Sequence, residues 1–437
     1  MSKSISIKQT INPFNNTIKV AGDKSLSIRW VLLASLSKKK SVAYNLLKSE
    51  DVYSAINCIK KLGSKVKFKK NKCEILGTGL NYKSNKKMIL NAGNSGTLGR
   101  LILGLLVNTK NKITLIGDKS LSKRDFSRII NPLKKFGATF ISNNSKLPLI
   151  ISGTKNPSSI NYFENKGSAQ CKTTVMLAAL KSNGVTKIKA KKSRDHTELL
   201  FKHLKVPIKI KKTKKYDFIK LKKITYLNPL HYKIPGDISS CAFFIVLTIL
   251  SKNSKLFIKN INVNPSRIGL IIILKKMGAS IQLLNKRNYK GEKIADILVK
   301  SSKNLKGINC PVMLNSSAID EFLVIFLVAA KSKGISTFKN ISELNEKESP
   351  RLLWGSKILD NIGIENTATK NSIKIFGNPN ISINKNIKIK NFLKDHRVFM
   401  MSAIAALTFG GKWEINDLDS IKTSFPSFIK TLKSIIQ

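Results

Sequence analysis

Gly93-Asn94-Ser95-Gly96-Thr97 runs directly into LGRLILGLLV, residues 98–107. A turn-prone polar cluster thus hands over to an apolar run of helix length. The same device recurs five times. Asp23-Lys24-Ser25-Leu26-Ser27-Ile28-Arg29 precedes WVLLASL, Gly167-Ser168-Ala169-Gln170 precedes CKTTVMLAAL, and Gly236-Asp237-Ile238-Ser239-Ser240 precedes CAFFIVLTIL. Asn315-Ser316-Ser317-Ala318-Ile319-Asp320 precedes EFLVIFLVAA, and Asp395-His396-Arg397 precedes VFMMSAIAAL. The clusters lie roughly 70 to 80 residues apart, the mark of a repeated supersecondary unit. Ser, Asp and Asn in front of such runs are N-cap residues. The start of a helix carries unpaired N–H groups and partial positive charge, so it attracts anions. Six such ends, if they converge, make an anion-attracting cleft.

A second repeat follows the first. IKKLGSKVKF, LKKFGATFI, FKHLKVPIKI, LKKMGASIQLL and KILDNIGIEN each read as the end of an amphipathic helix followed by a strand, and FIKTLKSIIQ is a shortened last copy. Gly63, Gly137, Gly278 and Gly363 stand where a helix C-terminus calls for a left-handed residue. The predicted unit is strand, buried helix, strand, amphipathic helix, then further strands, an α/β class repeated six times. IKIKKTKKYDFIKLKKI, residues 208–224, reads as a hairpin with one wet face. The boundary is expected near residue 234, with three units on each side. Residues 20–234 form one domain. Residues 1–19 join 235–437 in the other, with SISIKQT pairing there as a strand.

At 437 residues the chain is long for a single core, so two domains are the default. No apolar run reaches the roughly 18 residues that cross a bilayer, and MSKSISIKQT lacks a signal-peptide core. The five cysteines form no CxxC pair, which points away from disulfides and zinc. A cytoplasmic protein without metal, cofactor or membrane partner is expected, and a monomer. The net charge of +55 invites a nucleic-acid reading. Lysines are spread over the whole length with few aromatics between them, so a solvated basic surface is the expectation and nucleic-acid binding a weak, salt-sensitive property.

Lys24, Arg29, Arg100 and Arg397 stand beside the helix-start clusters, Arg124 and Arg194 lie in polar segments, and Arg351 follows Lys347-Glu348-Ser349. Guanidinium is the planar fork for carboxylate and phosphate. Asp320 and Glu348 supply two acid–base groups for a reaction that moves protons. No GxGxxG, P-loop or paired metal-spaced histidines occur.

The ordered set AGDKSLSIR (21–29), GNSGT with Arg100, GDKSLSKR (117–124), SAQ (168–170), SRDHTE (193–198), PGDISS (235–240), IDE (319–321), KES with Arg351, and DHR (395–397) resembles the 5-enolpyruvylshikimate-3-phosphate synthase family. The resemblance implies a two-domain inside-out α/β barrel with three units per domain. It also implies transfer of the enolpyruvyl group of phosphoenolpyruvate to shikimate 3-phosphate. By it, Lys24, Ser25, Arg29, Ser168, Ala169, Gln170, Arg194, Asp320 and Lys347 bind shikimate 3-phosphate. Lys24, Gly96, Arg124, Gln170, Arg351 and Arg397 hold phosphoenolpyruvate. Asp320 takes the hydroxyl proton, Glu348 gives and retrieves the C3 proton, and Lys24 assists. Closure of the two domains excludes water.

The resemblance is close to the branch with glyphosate-tolerant members, although Gly96 stands where those carry Ala. Asp125 replaces a proline after Arg124 and is expected to weaken that arginine. Pro350 replaces an acid before Arg351, and Lys422 is one place from a family lysine. The sister transferase that acts on UDP-N-acetylglucosamine is the alternative. Its site uses a loop cysteine, and no cysteine lies between Cys73 and Cys171. A basic nucleic-acid-binding protein is the other alternative.

Overall fold

The computed structural model describes residues 3–82 and 87–436. The chain divides into two compact units. The inserted unit is Gly22–Ile234 with Lys290–Glu292, and the terminal unit is Met1–Ala21, Pro235–Tyr289 and Lys293–Gln437. No helix among the described residues is long and apolar enough to cross a membrane.

One βαβαββ pattern organises both units. In its second copy Lys87–Asn91 pairs in parallel with Lys112–Ile116, which pairs antiparallel with Leu149–Ser152, and that strand with Thr139–Ser142. The third copy repeats the order with Asn161–Glu164, Val185–Lys191, Tyr216–Lys222 and Ile208–Lys212. In the first copy the leading position is filled by Tyr232–Lys233, which pairs in parallel with Ser41–Tyr44. Asn15–Ile18, the strand that precedes the first buried helix in the chain, pairs instead with Lys255–Asn262 in the terminal unit. The first and fourth copies have therefore exchanged leading strands, and the exchange accounts for the passages between units at Ala21–Gly22 and Ile234–Pro235. Ile5–Ile7 completes the sixth sheet against Gly410–Ile415.

Five of the six buried helices begin on a side-chain cap. Asp23, Ser95, Ser168, Asp237 and Asp395 accept bonds from Leu26, Leu98, Cys171, Ser239 and Arg397 backbone N–H groups. Such caps each stabilise a helix by about 1 kcal/mol. From Leu26 to Ser35 every residue of the helix Lys24–Ser35 is buried, as in a helix enclosed on all sides. The fifth copy departs from the expectation of one capped helix with Asp320 just inside it. A short helix Asn315–Ala318 ends, a turn carries Asp320, and Phe322–Ala330 starts without a side-chain cap. The carbonyl of Asp320 accepts a 2.5 Å bond from Arg397 Nη1, a distant partner that fixes the turn.

Gly63, Gly137, Gly278 and Gly363 hold φ between 89° and 100° at the ends of the amphipathic helices. The third copy has Lys205 there, at φ 58°. A side chain in this region crowds the following carbonyl. Lys205→Gly is expected to raise the unfolding free energy by about 0.5–1 kcal/mol, after the greater freedom of glycine in the unfolded chain is subtracted. Denaturant midpoints check this, and an unchanged or lower midpoint would count against it.

Candidate active site

Three capped helix ends of the inserted unit carry its predicted residues. Lys24 Nζ lies 3.1 Å from Asp51 Oδ2, in the first turn of the helix Glu50–Lys61. Ser25 is half-buried, and its carbonyl accepts from Arg29 Nη1 at 3.0 Å. Arg29 itself is only 4% exposed. Its Nε donates to Thr197 Oγ1 at 2.9 Å and its Nη2 to Thr173 Oγ1 at 3.4 Å. The two threonines are bonded at 2.8 Å. Arg29 thus ties the helix of the first copy to both helices of the third.

Gly96 opens the helix Gly96–Leu106. A Cβ placed on it would stand 2.8 Å from Arg124 Nη1 and 2.9 Å from Arg100 Nη1. Two guanidinium tips therefore close on the face of this glycine. Arg100 Nη1 also donates to Gln170 Oε1 at 2.8 Å, and Gln170 Nε2 to Thr97 Oγ1 at 3.0 Å. The Gln170 amide is thereby oriented by the second copy. Asp125, expected to weaken Arg124, turns instead to Ser127. Its carboxylate accepts from the Ser127 N–H at 2.8 Å and from the hydroxyl at 2.5 Å, at the start of the helix Ser127–Lys135.

Ser168 caps its helix, and Ala169 and Gln170 follow as its first residues. The approach to this end is shaped by buried Glu164, whose Oε2 accepts from the N–H groups of Gly167 and Ser168 at 2.5 and 2.8 Å. Arg194 lies half-buried beside Asp195, which holds Lys212 at 2.7 Å. The rest of RDHTE is structural: His196 Nδ1 meets Glu292 Oε1 at 2.6 Å, and Glu198 meets Lys172 at 2.5 Å, all buried.

In the terminal unit, Arg351 is the hub. It is 2% exposed and begins the helix Arg351–Ile362. Its Nε donates to Asp395 Oδ2 at 2.9 Å, its Nη2 bonds Glu348, and its Nη1 lies 3.6 Å from Asp320 Oδ1. Burial works against the charge of Arg351, but Asp395, Glu348 and Asp320 outweigh it and hold its pKa above the ordinary value. Pro350 sits ahead of the first helical turn, where a missing N–H costs little. Asp320 is also 3.9 Å from Lys347 Nζ and 4.0 Å from Arg397 Nη2. Lys347 in turn bonds Glu343 at 2.7 Å. The Asp320 and Glu348 side chains are 17% and 18% exposed, so each keeps a face open. Lys422 is exposed and bonds Asp419 at 2.7 Å.

Asp395 serves two ends at once, capping its own helix and pairing with Arg351. Burial raises its pKa, Arg351 lowers it, and the net position is below the ordinary 3.8. A depressed carboxylate stabilises the fold above its unfolded pKa, and that contribution is lost as pH falls through the folded value. Asp395→Asn is expected to cost about 2 kcal/mol at pH 7. The difference from the parent should close as pH falls below about 4. Urea midpoints measured across that range check it, and a pH-independent difference would contradict it.

Sequence reading missed Asp51, Thr173, Thr197, Glu164 and Asp395 as partners. Asp51, Thr197 and Asp395 stand at helix starts, which was the only local signal; Glu164 ends a strand and Thr173 lies inside a helix.

A family model described as EPSP synthase (3-phosphoshikimate 1-carboxyvinyltransferase) matches residues 8–432. The chain is 40% identical over 440 aligned positions to a 3-phosphoshikimate 1-carboxyvinyltransferase of Ruthia magnifica subsp. Calyptogena magnifica, covering 100% of this chain and 98% of the other. It is 39% identical to that of Vesicomyosocius okutanii subsp. Calyptogena okutanii, covering 98% of each. Among solved structures, EPSP synthase from Acinetobacter baumannii is similar, with a TM-score of 0.86 and 32% identity over 98% of this chain and 97% of that one.

Proposed function

The chain belongs to the EPSP synthase family, and on that premise we propose that it transfers the 1-carboxyvinyl group of phosphoenolpyruvate to the 5-hydroxyl of shikimate 3-phosphate, releasing phosphate. This is the step of the shikimate pathway that leads toward chorismate and the aromatic amino acids. The observation that carries the site assignment is the placement of two part-open acids, Asp320 and Glu348, against one buried guanidinium. Chemistry at an enol needs one group to take the hydroxyl proton and another to serve C3.

In this reading Asp320 takes the proton of the 5-hydroxyl as its oxygen attacks C2. Glu348 delivers a proton to C3. A tetrahedral ketal phosphate forms; phosphate then leaves as Glu348 retrieves the proton from C3. Lys347, Arg351 and Arg397 surround the Asp320 carboxylate at 3.6 to 4.0 Å. Arg351 and Arg397 also meet the anionic groups of phosphoenolpyruvate, as do Arg124 and Gln170 beside Gly96, and Lys24. Ser168, Ala169, Gln170 and Arg194 hold shikimate 3-phosphate, with Lys24, Ser25, Asp320 and Lys347. Arg29 joins this set, held by Thr173, Thr197 and the Ser25 carbonyl. Fixed cationic groups stabilise the charge that develops on the leaving phosphate.

The sister reaction on UDP-N-acetylglucosamine is not favoured. Cys73 is buried in the strand Lys72–Leu76, and burial pushes its thiol up to about 12, so it is no proton donor at neutral pH. The test is release of phosphate from phosphoenolpyruvate with each acceptor in turn. Release that depends on shikimate 3-phosphate is expected. Release with UDP-N-acetylglucosamine alone would overturn the assignment. We further take the protein to be a cytoplasmic monomer, which sedimentation at working concentration checks.

A further inference from the structure

The third sheet of the inserted unit has an outer face that the transfer reaction does not use. Alternation along its strands sends Glu164, Ile188, Asp217 and Ile219 inward, where all are buried. It sends lysines outward: Lys187, Lys189 and Lys191 on one strand, Lys220 and Lys222 on the next, Lys209 and Lys211 on the last. The acids of these strands face away from them. Glu164 is paired with Arg128, and Asp217 with Lys192.

The register sharpens the point. Lys187 stands opposite Lys220, and Lys220 opposite Lys209, so three like charges lie side by side across three strands. Like charges directly opposite each other are destabilising. A bound polyanion would relieve that repulsion. The adjacent row alternates differently: Phe163, Lys189, Phe218, Lys211. Phe163 is 50% exposed and Phe218 39%. They stand about 10 Å apart, two strand spacings. Tyr216 packs edge-on to Phe163 at 5.8 Å, and Lys189 Nζ lies 5.0 Å and 4.7 Å from those two rings. Phe163, Lys187, Lys189, Phe218 and Lys220 line a shallow depression of about 330 Å³.

We propose that this face binds single-stranded nucleic acid, its phosphates on the lysine row and its bases on Phe163, Tyr216 and Phe218. Exposed rings are the reason for a single strand. They offer a stacking surface to an unpaired base, whereas duplex bases are already stacked on one another. The wet face of the hairpin 208–224 is legible in the sequence, but Phe163 and Lys187, Lys189 and Lys191 join it only through strand pairing.

The test is fluorescence anisotropy with a labelled oligothymidylate of about twelve nucleotides, within the span that single-strand grooves cover. At about 50 mM salt, binding in the micromolar range is expected, with log K falling against log salt at a slope of about −3, for about four phosphates. F163A/F218A should weaken binding about tenfold or more through lost stacking. F163L/F218L should do the same while keeping apolar bulk, which covers the case of an unfolded alanine variant. K187Q/K220Q should reduce the salt slope by about 1.4. K134Q/K135Q, exposed on the helix Ser127–Lys135, should leave binding unchanged. Phosphate release from phosphoenolpyruvate should be unaltered in all four. Parental affinity in both aromatic variants would overturn the proposal. So would equal binding of a duplex of the same length, or tighter ring-dependent binding of anionic vesicles or an acidic peptide.

Discussion

Asp320→Asn and Glu348→Gln are each expected to lower turnover 100-fold or more, the usual consequence of removing a general acid or base. The structure makes the two changes informative, since each replacement is nearly isosteric. In Glu348→Gln the amide oxygen can still accept from Arg351, and Arg351 keeps its bond to Asp395. In Asp320→Asn the turn keeps the backbone carbonyl that Arg397 holds. Neither change empties a buried space or strands a buried charge, so folding should survive. The loss should therefore appear in kcat, with smaller changes in KM for both substrates. Rapid-quench measurement of a single turnover reads the chemical step directly. Near-parental turnover in both variants would remove these acids from the mechanism. A loss in one alone would leave that acid as the only proton-transfer group of the pair.

The same neighbourhood separates what the sequence discloses from what it hides. Caps are local: Asp23, Ser95, Ser168, Asp237 and Asp395 each bond a backbone N–H two or three residues ahead. They are legible because the signal and its partner lie in one window. The left-handed glycines at 63, 137, 278 and 363 are legible for the same reason. The broken fifth helix is not, since the group that holds its turn, Arg397, lies 77 residues away. Arg29, expected from the resemblance to bind shikimate 3-phosphate, also has protein partners that its own motif does not disclose. Those partners, Thr173 and Thr197, are 144 and 168 residues distant. Residues 1–19 were expected with the terminal domain, but the exchange of sheet positions between the first and fourth copies is not legible locally. Asn15–Ile18 and Tyr232–Lys233 are both adequate strands, and which sheet takes each is decided by packing beyond the local pattern.

Asp125 and Pro350 show how much a departure from a family pattern depends on neighbours that the local sequence does not show. Beside Arg124 in sequence, Asp125 suggested a competing charge. Two bonds to Ser127 give it a different task, at the start of the next helix. Pro350 replaces an acid just before Arg351. Asp395, at the start of another helix, pairs with Arg351, and Ser349 donates to the same carboxylate at 2.9 Å.

Gly96→Ala is expected to raise the inhibition constant for glyphosate by about 10- to 100-fold, the range for 1–3 kcal/mol of overpacking, and to raise the phosphoenolpyruvate KM by less. The unmodified enzyme should be glyphosate-sensitive. The added methyl would lie 2.8 Å from Arg124 Nη1 and 2.9 Å from Arg100 Nη1. Real side chains do not approach so closely, so the two guanidinium tips must move. They are the far ends of flexible side chains, so the fold tolerates the movement. Ligands feel it in two parts. Displacing Arg124 weakens its contact with any anion it holds, and this loss falls on phosphoenolpyruvate and glyphosate alike. The methyl also removes room beside the helix start. Glyphosate is slightly longer than phosphoenolpyruvate, so the lost room falls on the inhibitor alone. Arg100 adds a check, since it also orients Gln170. If its displacement disturbed that amide, the KM for shikimate 3-phosphate would rise as well. Measuring the glyphosate inhibition constant and both substrate KM values in the two forms separates these effects. Equal losses for inhibitor and phosphoenolpyruvate would mean that movement of the arginines is the whole effect. Tolerance already present with Gly96 would show that the glycine face does not set the limit on the inhibitor.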